Sequence, residues 1–350
     1  MNDRLGPVDA LKALACVLIV WHHLAFYGPM SDLARPLAPA VVDWLFAYGR
    51  MAVQVFLVVS GFLLARSMGP GRAPSTPWAE QVGRRYLRLL VPYAGALVLA
   101  ILVSDAVRSS LGHPDAPATP TWMQLLAHLL LVQDLLGEES LSAGVWYVAI
   151  DLQLFALATL LCRLPGSWAV AAVAALTALS LLWCNLEPQL DATALYFFGA
   201  YGMGLLAGWA ARASRPWAGL AAVALLGAVA LAGGWRDRIA VAWACALLLG
   251  LLQAKGAMGW QPPRWMAWLA AVSYPVFLVH FAVLLAVGAL WGWLWPDGGT
   301  VHLLGMALVF ALSLLAGAGL HRLEQRIVRP RTALGWQVAV LAAGMLAMTV

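Results

Sequence analysis

Apolar residues in this chain neither alternate nor keep to a narrow stripe; they run on in stretches of 16 to 24 residues, separated by short polar clusters. A helix needs about 20 such residues to cross the ~30 Å hydrocarbon core of a bilayer, whereas a membrane barrel strand alternates over about 10. The pattern therefore predicts an all-α membrane protein, a polytopic bundle of 10–11 transmembrane helices. Spans are expected at 7–27, 50–67, 88–107, 145–162, 168–184, 195–211, 217–234, 239–254, 268–291, 302–320 and 334–350. The sixteen apolar residues 122–137 are read instead as a re-entrant or interfacial helix, inside a long loop (108–144) opened by Pro114, Pro117 and Pro120. No internal repeat of the kind that marks many transporters is evident.

Charge orients these spans. With the N-terminus inside, fifteen basic residues fall on the inner side and five outside (Arg35, Arg50, Arg108, Arg236, Arg238), with Lys12 in the membrane. The positive-inside rule thus predicts a cytoplasmic N-terminus, in an inner (cytoplasmic) membrane if the source is bacterial. Counting 122–137 as a span would invert every later loop and put the Arg322–Arg331 cluster outside. The expected organisation is one membrane domain, 1–333, with ten spans and the stretch 122–137, followed by an extra C-terminal span at 334–350.

Composition narrows the function classes. The chain is 63% hydrophobic and 11% charged, against about 25% charged in soluble proteins. Its formal charge of +5 belongs to the loops and is not read as nucleic-acid affinity. Cys16, Cys162, Cys184 and Cys245 stand singly in apolar segments, a pattern of small core residues rather than of a disulfide framework or metal site. The first segment lacks a small-residue cleavage signal after its apolar run, so it reads as a retained helix.

Polar residues at membrane depth are the candidates for chemistry, and an ionisable one costs roughly 2.5–3.5 kcal/mol there unless a partner explains it. Asp9 and Lys12 are three apart on one face of the first helix and can explain each other. His23 returns to within roughly 20° of the Lys12 line, ~16 Å along the helix, whereas His22 points about 100° away. Ser60 and Gly61 in the second span suit close helix packing. Arg84, Arg85 and Arg88 precede the third span; Arg85 and Arg88 are one turn apart, and their guanidinium forks suit either lipid headgroups or a bound phosphate. Asp151, five residues after Trp146, places a carboxylate in a fourth helix. Ser273 and His280 share one stripe of a span that Tyr274-Pro275 interrupts.

Taken in order, these pieces resemble the acyltransferase 3 family of integral-membrane acyltransferases, over roughly residues 4–330. The family's Leu-Asp-x-Leu-Arg run followed by histidine stands here as Val8-Asp9-Ala10-Leu11-Lys12 and His23. Its Phe-Phe-x-x-Ser-Gly-Phe matches Phe56 to Phe62, and its Arg-x-x-Arg matches Arg85 and Arg88. Its Trp-x-Leu-x-x-Glu motif begins at Trp146, with Asp151 in place of glutamate. Its Ser-Tyr-x-x-Tyr-Leu-x-His matches Ser273 to His280, with Phe277 in place of tyrosine, and a late glutamate before proline is echoed at Glu324 and Pro330.

The resemblance implies transfer of an acyl group, commonly acetyl, from cytoplasmic acyl-coenzyme A to a hydroxyl of a carbohydrate or lipid-linked acceptor. In that scheme Arg84, Arg85 and Arg88 hold the donor's phosphates and His23 is general base or acyl carrier. Asp151 orients or charge-stabilises His23, and Lys12 with Asp9 stabilises the donor. His22 is the lesser candidate; Ser60, Trp146, Ser273, Tyr274 and His280 support the site. Acyl-coenzyme A enters as co-substrate, with no permanently bound cofactor, no metal and no nucleic acid. The other partners are the lipid bilayer and, compatibly with this reading, a second copy of the chain. The competing reading is a transporter or exporter of a small acidic or sugar-like solute, with the same buried charges as its binding site or proton relay.

Overall fold

The structure is a computed structural model that describes residues 5–71, 75–111 and 115–326, with Gly335, Ala339 and Ala343 beyond them. Among the described residues every regular element is helical: α1 (Gly6–Phe26), α2 (Met30–Ala34), α3 (Pro39–Tyr48), α4 (Ala52–Ser67), α5 (Trp78–Ser110), α6 (Trp122–Leu130), α7 (Gln133–Leu136), α8 (Val145–Leu161), α9 (Gly166–Leu182), α10 (Ala194–Ala210), α11 (Pro216–Ala232), α12 (Asp237–Ala254), α13 (Arg264–Leu294) and α14 (Gly299–Arg326). Seven helical stretches among them are long and apolar enough to cross a membrane, and α8, α10 and α11 are shorter apolar helices. Apart from those three residues, the expected span 334–350 lies outside the described residues.

Three boundaries differ from the hydropathy pattern, each for a physical reason. Helix α5 starts at Trp78, ten residues before the expected span at 88, so Arg84, Arg85 and Arg88 ride on helical turns rather than in a loop. Apolarity marks only the part of a helix that can face lipid; Pro77 ahead of the helix and Glu80 in its first turn begin it earlier. The segment between the first two spans is itself folded, into α2, a short 3-10 turn and α3, whose first residue is Pro39. The stretch 122–137 is broken in two. Thr121 and Gln124 open α6 with a capping box, and Leu131, at φ 57°, ends it and turns the chain before α7. With nine residues, α6 is about 14 Å long, too short to cross the hydrocarbon.

His128 anchors this α6 segment. Its Nδ1 donates to the Gln124 carbonyl at 2.8 Å, and its Nε2 accepts from the Leu141 amide at 3.1 Å. Burial pushes the imidazole below its ordinary 6.5, against the smaller opposing effect of the Gln124 bond.

The chain divides into two compact units, one of residues 1–15, 51–84 and 149–270, the other of 16–50, 85–148 and 271–350. In the first, α10 is buried at fifteen of its seventeen positions, as befits a helix apolar all round. It packs on α4, α9, α11 and α12. Small residues let the backbones meet. A Cβ on Gly204 would stand 2.1 Å from the Val58 carbonyl oxygen, and one on Gly61 would stand 2.0 Å from that of Tyr201. Helices α9 and α11 instead carry exposed tryptophans near both ends, Trp168 and Trp183 on one, Trp217 and Trp235 on the other, placed as in interfacial aromatic belts. In the second unit α14 packs on α2, and Gly317 admits the backbone of Val276 on α13.

Candidate active site

The second unit holds three histidines together. His280 lies on α13, buried, five residues past Pro275. Its Nδ1 is 2.7 Å from the Phe277 carbonyl oxygen of its own helix. A carbonyl only accepts, so this nitrogen carries the proton and Nε2 of the neutral ring is left as acceptor. That Nε2 stands 2.6 Å from Nδ1 of His23 near the end of α1, the rings lying at 12° with centroids 4.8 Å apart. His23 Nδ1 must then be the donor. The chain of bonds ends at His23 Nε2, which keeps its lone pair on a part-buried ring.

His22 does something else. Its Nδ1 donates to the Leu45 carbonyl at 3.0 Å, and its Cβ packs on Gly49, where an added Cβ would sit 2.7 Å away. It ties α1 to α3 and lies tilted beside His23, with centroids 5.1 Å apart. The aromatic rings of Tyr27, Phe277 and Phe281 complete the surroundings, Phe277 meeting Tyr147 edge-on at 5.4 Å. Gly144, at φ 82°, passes so close under Phe277 that a Cβ would stand 2.5 Å from Cζ. Ser273, also buried, accepts through its carbonyl from the Cys16 thiol at 3.9 Å, and the Tyr274 hydroxyl donates to the Leu89 carbonyl at 3.0 Å. Ser273 and Tyr274 therefore hold α13 against α1 and α5 as supports for His280.

The basic stretch of α5 is not uniform. Arg84 is exposed and ion-paired with Glu80 one turn back. Arg88 is exposed with Glu324 of α14 within electrostatic reach, and Arg85 is part-buried. A surface pair of the Arg84 kind is worth only about 0–1 kcal/mol. Glu324 itself lies 3.8 Å from His321 Nδ1, and Pro330 is outside the described residues.

In the first unit the Ser60 hydroxyl donates to the buried carboxylate of Asp151 at 3.3 Å. Ser60 is thus a polar partner, while its neighbour Gly61 is the packing residue. Asp9 and Lys12 lie in the first turns of α1, both part-buried, and Trp146 opens α8. Within the second unit His23 bonds to His280, while Asp151, the residue the family pattern assigns to orient it, belongs to the first. The periodicity put Ser273 and His280 on one stripe but could not register α13 against α1. Among the described residues no three His, Cys, Asp or Glu side chains are grouped to hold a metal.

A family model for an acyltransferase domain matches residues 7–322, almost the whole chain. The chain belongs to the acyltransferase 3 family. The matched model describes an acyltransferase domain, and seven of the described helical stretches are long and apolar enough to cross a membrane. The acyltransferase 3 chain is similar to acyltransferase MdmB of Streptomyces mycarofaciens, 28% identical over 141 residues, 40% of this chain and 34% of that one. It is also similar to the regulator of hypoxia-inducible factor 1 of Caenorhabditis elegans, 25% identical over 182 residues, 47% and 36% of the two lengths. The matched region thus spans about a third of either relative. No solved structure matches.

Proposed function

We propose that this acyltransferase moves an acyl group, acetyl first among them, from acyl-coenzyme A to a hydroxyl of a carbohydrate or lipid-linked acceptor, with Nε2 of His23 as general base. The observation that carries the proposal is the bond chain from the Phe277 carbonyl through His280 to His23, which leaves one basic nitrogen at a defined place. In the reaction Nε2 takes the acceptor's hydroxyl proton as its oxygen attacks the thioester carbonyl. The tetrahedral intermediate expels the coenzyme A thiolate, which recovers the proton from the imidazolium. His280 is the positioning residue: it fixes the tautomer and can share the charge. Arg85 and Arg88 are assigned to the donor's phosphates, with Arg84 able to join by leaving Glu80. For Asp9, Lys12 and Asp151 we retain the donor-stabilising and charge roles that the family pattern implies.

Purified protein supplied with radiolabelled acetyl-coenzyme A and the candidate acceptors tests the reading. Transfer should fall about 10²–10⁴-fold in His23→Ala and remain measurable in His22→Ala. Undiminished transfer by a folded His23→Ala protein would remove the catalytic reading. Solute uptake without acyl transfer would favour a transporter.

A further inference from the structure

Five basic residues were placed on the outer side by the positive-inside reading, and they differ in how they are held. Arg35 is ion-paired with Asp43, and Arg108 with Asp105. Arg236 and Arg238, at the start of α12, are held by neutral groups. Arg236 donates from Nε to the Gly234 carbonyl, from Nη1 to Asn185 Oδ1 and from Nη2 to the Ala230 carbonyl. Arg238 donates to the Tyr196 hydroxyl and, from Nη2, to the Asn185 carbonyl at 2.8 Å, with its guanidinium carbon 4.7 Å above the Tyr196 ring.

Both arginines therefore converge on one buried residue, Asn185. The carboxylates nearby are otherwise engaged or point to water: Asp237 accepts from the Trp235 indole, Glu187 from the Gln189 amide, and Asp191 is exposed. No ion pair among the described residues joins either arginine to a carboxylate. The place is also electrostatically adverse for cations, because helix N-termini are positive and α12 begins between the two arginines. Arg236 shows the strain of this crowding: burial, then the neighbouring Arg238, lowers its guanidinium from the usual range. Each guanidinium has five N–H donors, and the two together spend five on the bonds above, which leaves five unspent. Both side chains remain partly exposed, so an anion can reach those donors.

We propose that Arg236 and Arg238, braced by Asn185 and Tyr196, form a binding site for a phosphate group at the end of the first unit where α9 and α11 finish and α10 and α12 begin. A guanidinium pair with unspent N–H donors is matched to tetrahedral oxyanions, and bracing by neutral acceptors organises those donors without neutralising them. The phosphate can come from a lipid headgroup or from a soluble phosphate; both present the same oxygens.

The test uses the full-length protein in phosphate-free maltoside micelles, with the thermal unfolding midpoint read from tryptophan fluorescence. One arm titrates inorganic phosphate against sodium chloride at equal ionic strength. The other adds phosphatidylglycerol, or diacylglycerol as its phosphate-free control. A rise with inorganic phosphate assigns a site open to soluble phosphate, and a rise with phosphatidylglycerol alone assigns a headgroup site; either supports the proposal. In both cases Arg236→Gln and Arg238→Gln should weaken the apparent affinity about tenfold or more. Arg238→Lys, which keeps the charge and loses the fork, should also weaken it. A wild-type protein that responds to neither phosphate, or variants that respond as the wild type does, would overturn the site. Because the wild-type arms stand alone, a variant that fails to fold does not block the decision.

Discussion

At the scale of single residues, a proton's position decides what the site can do. If His280 acts by accepting from Nδ1 of His23, glutamine in its place should preserve much of the activity, since its carbonyl oxygen can take the same bond, while leucine should not. The expected order for turnover is wild type, His280→Gln, His280→Leu, with the acceptor's KM little changed; equal activity of the two variants would show that His280 merely fills space. His128 makes the opposite use of a neutral ring, tying α6 to Leu141. Its folded pKa lies below the ordinary 6.5, so its stabilisation is complete above that value and is lost as the unfolded state takes up protons below it. Hydrogen exchange at the Leu141 amide should accelerate between pH 7 and 5 beyond the intrinsic rate, and in His128→Phe that acceleration should vanish. Most of these side chains could be nominated from the sequence, because a polar group in an apolar run stands out. The His23–His280 contact could not, since no local rule sets the rotation of α13 against α1.

At the scale of helices, hydropathy located the apolar segments well and their ends poorly. The reason shows in α5 and in α2 and α3: a helix bonds its own backbone whether or not its residues suit lipid, so it can run past the apolar stretch. The glycines were legible only in part. Gly61 was read as a packing residue, but its counterpart Gly204 gives no sign of itself in a helix with four glycines. Gly204→Ala would drive a methyl against the Val58 backbone, with no flexible side chain to yield. A loss of about 1–3 kcal/mol is expected, read as a lowered unfolding midpoint in detergent, whereas Gly83→Ala, which meets open space, should be neutral or slightly stabilising.

At the scale of the molecule, composition and run length were enough to place the chain in a bilayer, because apolar surface on this scale has no other solvent. Orientation rests on a charge count and has a direct check. In a cysteine-free background, Asp115→Cys should react with an impermeant maleimide from the outer side of intact cells only. Labelling only after the inner side is opened would invert the topology. What the count could not supply was the division of the chain into two units, which four helices pass through and which contacts distant in sequence define.

The early start of α5 has a consequence for how the chain would meet acyl-coenzyme A, the donor proposed above. Coenzyme A carries about four negative charges, and an anionic leaflet at roughly −30 mV repels such a molecule by about 3 kcal/mol, thinning it some hundredfold at the surface. Ten residues of helix before the expected span, with Arg84, Arg85 and a positive N-terminus and with Arg88 directly after them, make a local opening in that barrier. Lipid composition then becomes a rate determinant. In vesicles of rising phosphatidylglycerol content, kcat/KM for the donor should decline gently for the wild type and steeply for Arg85→Ala/Arg88→Ala, with kcat at saturating donor nearly constant in both. Parallel declines would place the arginines outside donor capture.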